Sequence, residues 1–193
     1  MTAVQAGADG LPRVPPGQVV AQNWPVLHHG EIPVGPDPWQ LRLWGAVGRE
    51  CLLTFEDVQA LGGVEQAADV HCVTGWSLLD STWEGVPFST LERLARPLPA
   101  ARHLMAHAAG GWSTNIDLEA LRRPGVAVVW RRNGQPLPAA HGGPLRLLVP
   151  HLYFWKSAKW LVGLEWMETD RPGFWEKDTI YTKLDPWHAV RGR

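Results

Sequence analysis

Apolar and polar residues alternate through Trp39-Gln40-Leu41-Arg42-Leu43 as far as Trp44, a period of two that predicts a half-buried strand over residues 39–44. Residues 160–166 alternate in the same way and set Trp160, Val162, Leu164 and Trp166 on one face of a second strand. Residues 125–130 are continuously apolar, as a strand buried on both faces would be, and Asn133-Gly134 just beyond is the strongest hairpin signal in the chain. Residues 102–106 and 145–149 read as further strands. Helical signals are short. Thr54-Phe55-Glu56-Asp57 is a variant capping box that opens a helix through Leu61, closed by Gly62-Gly63. Ser89-Thr90-Leu91-Glu92 repeats the device, with Leu91, Leu94 and Ala95 as its inner stripe and Pro97 as its stop, and Asp117 caps one helical turn over residues 117–121. The pattern predicts an α+β domain, mixed and β-rich, with a few short helices and no internal repeats.

Before residue 39 this regularity is missing. Prolines at 12, 15, 16, 25, 33, 36 and 38 forbid a long regular element, so residues 1–38 read as an arm wrapped over a domain of residues 39–193. Trp24, Val26 and Leu27 are its expected anchors.

Composition sharpens this picture. The 193 residues suffice for one globular domain, and 12 tryptophans with 20 glycines and 17 prolines describe a turn-rich chain whose large aromatics are held by tight corners. Lysine plus arginine number 18 against 19 aspartates plus glutamates, a balance that asks for neither nucleic acid nor an anionic membrane as partner. Two cysteines, Cys51 and Cys72, are too few for a disulfide framework or an iron–sulfur cluster, and no C-x-x-C-H haem site occurs. Residues 1–10 lack a basic region followed by an apolar run, and no long apolar segment follows, so the expectation is a cytoplasmic protein not embedded in a membrane.

Three stretches can carry chemistry. Asp69-Val70-His71-Cys72-Val73-Thr74-Gly75-Trp76-Ser77 reads as a strand entering a glycine-containing turn, which places the Cys72 thiol where it can bind a soft metal, act as a nucleophile, or simply be buried. His141-Gly142-Gly143-Pro144-Leu145-Arg146 offers glycines for close backbone approach and a planar fork suited to phosphate, or alternatively a turn beside a surface arginine. Trp155-Lys156-Ser157-Ala158-Lys159-Trp160 sets two cations and a hydroxyl between indoles, where the lysines can also be solvated stems. Together they describe a phosphate-binding wall beside a thiolate.

With HCVTGWS, NGQPLP, HGGPLRLLVP and YFWKSAKW in this order and spacing, followed by Pro172-Gly173-Phe174-Trp175-Glu176 and Asp185-Pro186-Trp187, the chain resembles the sulfite oxidase family of molybdopterin-dependent oxidoreductases, in particular its small single-domain prokaryotic members. The resemblance runs from about Asn23 onward and implies that Cys72 is the catalytic residue and the one thiolate ligand to molybdenum. It also implies that His141 and Arg146 grip the pterin phosphate, that Ser157, Ala158 and Lys159 complete the cradle, and that Asn23, Val26 and Leu27 close the other side of a molybdenum–molybdopterin cofactor. Two positions depart from the family pattern: Ala108 where the family's methionine-sulfoxide-reducing members carry a threonine, and Trp112 where sulfite oxidases place a tyrosine. Arginines of the kind that grip sulfite are not evident near Cys72. The implied activity is two-electron redox chemistry, oxygen-atom transfer to or from a small sulfur or nitrogen compound, with electrons exchanged through a separate protein partner. Trp76 and Trp112 are candidate pocket walls, and His103 and His107 are candidates for proton shuttling or for ordinary polar positions on a strand. Two other readings stand beside this one: a non-catalytic member acting as a binding module, and a zinc hydrolase using Cys72 with His71, His103 or His107.

Overall fold

The computed structural model describes residues 11–177 and 185–188. In chain order they form β1 (Val19–Val20), β2 (Gln40–Gly45), β3 (Cys51–Thr54), α1 (Phe55–Ala60), β4 (Val64–Ala67), β5 (Val70–His71), β6 (Trp76–Leu78), β7 (Thr82–Pro87) and α2 (Phe88–Ala95). They continue as β8 (His103–Ala108), β9 (Ser113–Asp117), α3 (Leu118–Leu121), β10 (Ala127–Arg132), β11 (Gln135–Pro136), β12 (Arg146–Leu148) and β13 (Leu161–Met167). The β-rich α+β architecture is the one the sequence predicts.

Three sheets build the fold. One runs β3-β2-β13-β8-β9, a second runs β11-β10-β7-β4 with β12 also on β10, and a third is the small sheet β1-β6-β5. β10 explains its own apolar run, since Val128 and Trp130 enter the main core with Leu41, Phe88 and Trp166 while Ala127 and Val129 enter a second core with Val70, Trp83 and Phe154. Asn133 and Gly134 then turn with φ of 50° and 73°, and β11 pairs back on β10 as the hairpin signal predicts.

The capping signals divide. At α1 the box forms in full: Thr54 Oγ1 accepts from Asp57 N at 3.1 Å and Asp57 Oδ2 accepts from Thr54 N at 2.9 Å. At α2 it does not form, because the helix starts directly from β7 at Phe88, whose N–H donates to Val126 O, and Ser89 is already inside the helix. Glu92, expected in that box, instead accepts from Arg122 Nε at 2.9 Å. Asp117 occupies the N-cap position of α3 without capping it, its carboxylate lying 2.8 Å from His103 Nδ1.

The alternation expected over 160–166 is broken. A register shift between Leu161 and Gly163 moves the inward set to Leu161, Leu164 and Trp166, leaves Val162 half-buried, and places Trp160, at φ 49°, outside the strand. The bulge sends the Trp160 indole toward the cavity described below.

Candidate functional site

Cys72 follows β5 directly. Its N–H donates to Trp76 O at 2.8 Å and its carbonyl accepts from Gly75 N at 2.9 Å, closing a tight turn in which Gly75 takes φ 103°. The thiol is buried, its Sγ 3.2 Å from Thr74 Oγ1. A further hydrogen bond holds the Cys72 carbonyl from outside the hairpin: Gln18 Nε2 donates to it at 3.1 Å, and Gln18 Oε1 accepts from the buried Ser77 hydroxyl at 2.8 Å. Cys51 lies elsewhere, on β3.

Arg146 opens β12 with its guanidinium 2 % exposed. Nη1 donates to His141 O at 2.8 Å, the cation lies 3.8 Å from the Phe154 ring centroid, and Nε has no partner among the described residues. Among the described residues no carboxylate pairs with it. Burial therefore pushes Arg146 down to about 9, opposed in part by the charge of Cys72. Lys159 is in the same position. Its ammonium donates to Leu27 O at 2.7 Å and Ala140 O at 2.9 Å, and burial, then Arg146, push it down to about 7.

Ser157, 2 % exposed, accepts from Val149 N through its hydroxyl oxygen at 2.9 Å, which leaves the hydroxyl proton free to donate. The Ala158 methyl is in the main core and its carbonyl accepts from Leu147 N at 2.9 Å, so this residue shapes the cradle through the backbone.

These groups surround one cavity of about 230 Å³. Cys72, Trp76, Arg146, Ser157 and Lys159 line it together with Trp24, Pro25 and Leu27 of the arm and with Trp112, Phe174 and Trp175. Trp76 and Trp112 are thus the pocket walls that the sequence suggests.

The positions of the other expected residues differ from the simplest reading of the sequence. Val26 is 51 % exposed and, like the exposed Asn23, is not part of the cavity lining, whereas Trp24 between them is. Trp24 anchors the arm by stacking on His141, ring centroids 3.8 Å and planes 11° apart. His141 therefore meets Trp24 rather than the cavity, and burial, then Lys159, Arg146 and Arg132, push it down to about 4. The glycines of the HGG stretch serve close packing, since a Cβ on Gly142 would meet Lys159 Cβ at 2.7 Å and one on Gly143 would collide with Leu137 O.

His103 and His107 lie outside the cavity lining, engaged with Asp117 at 2.8 Å and Glu165 at 2.9 Å. His71 is buried with Nδ1 2.8 Å from Ser77 Oγ. Among the described residues no three histidine, cysteine or acidic side chains converge as a metal site, so the set needed by a zinc hydrolase is not assembled.

Sequence reasoning missed Arg132, whose guanidinium lies 4.9 Å from the Trp24 ring centroid, and Gln18, whose amide reaches Cys72. Both act across separations that no local pattern encodes. Among the described residues, the buried Arg146 and the half-buried Lys159, neither with a carboxylate, an unpaired Arg146 Nε and an unpaired indole nitrogen on Trp76 form a donor set in need of acceptors. An anionic phosphate satisfies it, and Cys72 on the same cavity suits a soft metal.

Known proteins agree with this chemistry. The model of the oxidoreductase molybdopterin binding domain matches residues 29–175. An uncharacterized oxidoreductase of Bacillus subtilis, YuiH, is 42 % identical over 186 residues, which is 95 % of this chain and 94 % of that one. The catalytic subunit MsrP of a protein-methionine-sulfoxide reductase from Ralstonia nicotianae is 26 % identical over 156 residues, 72 % of this chain and 47 % of its own. A putative subunit of such a reductase from Azospira oryzae, YedZ1, is 30 % identical over 138 residues, 72 % of this chain and 52 % of its own. The chain thus spans about half the length of these two reductase proteins. Among solved structures, the sulfane dehydrogenase SoxCD of Paracoccus pantotrophus superposes with a TM-score of 0.63 at 23 % identity over 68 % of this chain and 38 % of that one, a likeness of fold.

Proposed function

The chain belongs to the family of oxidoreductase molybdopterin-binding domains, and on that premise we propose that it transfers an oxygen atom to or from a small sulfur or nitrogen compound at a molybdenum centre held by Cys72. The observation that carries this reading is the Arg146 guanidinium, buried without a carboxylate beside the cavity that also holds the Cys72 thiol.

The bound cofactor supplies the two-electron exchange, and the protein supplies its orientation and surroundings. Arg146 and Lys159 hold the pterin phosphate, with the Ser157 hydroxyl as a third donor. Trp24, backed by His141, and Leu27 cover the pterin from the arm side. Trp112, Phe174 and Trp175 line the same cavity as Cys72 and give the approach an apolar, aromatic surface. The lysine and arginine that line the cavity among the described residues are thereby committed to the phosphate, which disfavours an anion such as sulfite as substrate and favours neutral oxides. Electrons reach or leave the site through a separate protein. No described helix is long and apolar enough to cross a membrane.

A dye-linked screen of the molybdenum-loaded protein tests the proposal. Reduced viologen should be oxidised in the presence of sulfoxides or N-oxides, with sulfite oxidation run in parallel. Absence of turnover with every oxide, by protein that contains molybdenum and pterin, overturns it.

A further inference from the structure

Thr74 is the second residue after Cys72, and the turn closed by Gly75 brings its hydroxyl to 3.2 Å from the Cys72 sulfur. Between a free thiol and a hydroxyl either group can donate. A thiolate bound to a metal has no proton, so in the loaded protein the hydrogen bond has one direction, from Thr74 Oγ1 to Cys72 Sγ.

A hydrogen bond to a ligating sulfur draws charge away from the metal and favours its reduced state. We propose that Thr74 is a positioning residue for the Cys72 sulfur, fixing its orientation and raising the reduction potential of the metal through this one hydrogen bond. The proposal rests on the reading of Cys72 as the molybdenum ligand.

The surroundings separate this role from a merely structural one. Thr74 is solvent-exposed, so exchanging its hydroxyl for a methyl disturbs no packed core. The Cys72 backbone is held without it, by Trp76 O, by Gly75 N and by Gln18 Nε2. Gln18 is fixed in turn by Ser77 Oγ, itself 2.8 Å from His71 Nδ1. Removing the Thr74 hydroxyl therefore changes the electron density at sulfur and leaves the main chain where it is.

The experiment compares wild type, Thr74→Val, Thr74→Ser and Cys72→Ser, each loaded with cofactor. It measures molybdenum and pterin content, thermal midpoint, the sulfur-to-metal charge-transfer absorption, and the midpoint potential by redox titration. Wild type should show an absorption that Cys72→Ser lacks. Thr74→Val should keep content and thermal midpoint, move that absorption to longer wavelength and lower the potential, and Thr74→Ser should restore both. An unchanged absorption and potential in Thr74→Val overturns the proposal, as does a Thr74→Ser variant that behaves like Thr74→Val. A wild-type spectrum with no Cys72-dependent absorption overturns the ligand assignment itself, and the role of Thr74 with it.

Discussion

Trp24 lies flat on His141, the two ring centroids 3.8 Å apart, while the Arg132 guanidinium sits 4.9 Å from the same indole. Trp24 thus fastens the arm to the wall behind Arg146, in addition to the pairing of β1 with β6. Trp24→Ala should lose a stacked pair worth about 0.5–1.5 kcal/mol and a cation–π contact of about 0.5–1 kcal/mol. The variant should bind less molybdopterin and be cut faster by protease within residues 18–36. Trp24→Phe should recover most of both. Wild-type cofactor content in Trp24→Ala would show that the stack does not hold the cavity wall.

Arg146→Met should move two measurements in opposite directions. Pterin and molybdenum content should fall, since the phosphate loses charge-assisted contacts of roughly 2 kcal/mol. The cofactor-free protein should become more resistant to heat, because a buried cation without a carboxylate is replaced by an apolar side chain of similar length. Differential scanning calorimetry of the cofactor-free form checks the second half, and a lower melting temperature would contradict it.

Acid should weaken the fold before the carboxylates titrate. Burial, then Arg123, push His151 down to about 4, and burial lowers the buried His71 to about 4 as well. Their unfolded counterparts titrate near 6.5, so between about 6.5 and 4 the unfolded chain binds more protons than the folded one. Stability is therefore full above 6.5 and declines as pH falls through that window. Urea midpoints of the cofactor-free protein measured from pH 7.5 to 4.5 should show the decline, and His151→Gln should flatten it.

Lys156 is 1 % exposed and donates to Glu176 Oε1 at 2.6 Å and to Asn115 Oδ1 at 3.0 Å. Lys156→Met leaves the half-buried Glu176 carboxylate without its cation, held by Thr114 Oγ1 and Asn115 N, which should cost about 1.5–3 kcal/mol. Because Phe174 and Trp175 precede Glu176, the same change should loosen the cavity wall they form. Adding Glu176→Gln should restore much of the stability, and a denaturation series on the single and double variants measures the coupling.

How much of this was legible in the sequence depends on the range of the interaction. The strands around β2 and β10, the α1 capping box and the Asn133-Gly134 hairpin are each encoded within a few residues, and all formed. The α2 box failed because a tertiary contact, Phe88 N to Val126 O, set the helix start before the local signal could act. The inward face of β13 was misread because a bulge leaves no mark in an alternating pattern. At the site, Cys72, Arg146, Ser157 and Lys159 could be named from ordered motifs, and the structure gathers them around one cavity. The contributions of Trp24, Gln18 and Arg132 could not, since each depends on where an irregular arm is laid down.

β10 gives Ala127 and Val129 to one core and Val128 and Trp130 to the other, and Val129 pairs directly with Arg146 of β12. The two cores share a partition one strand thick, so neither can open while the other stays closed. Its amides should exchange with solvent only when the whole chain opens. A ligand anchored on Arg146 then pulls on that partition, and its binding free energy slows hydrogen exchange across both cores at once rather than around the cavity alone.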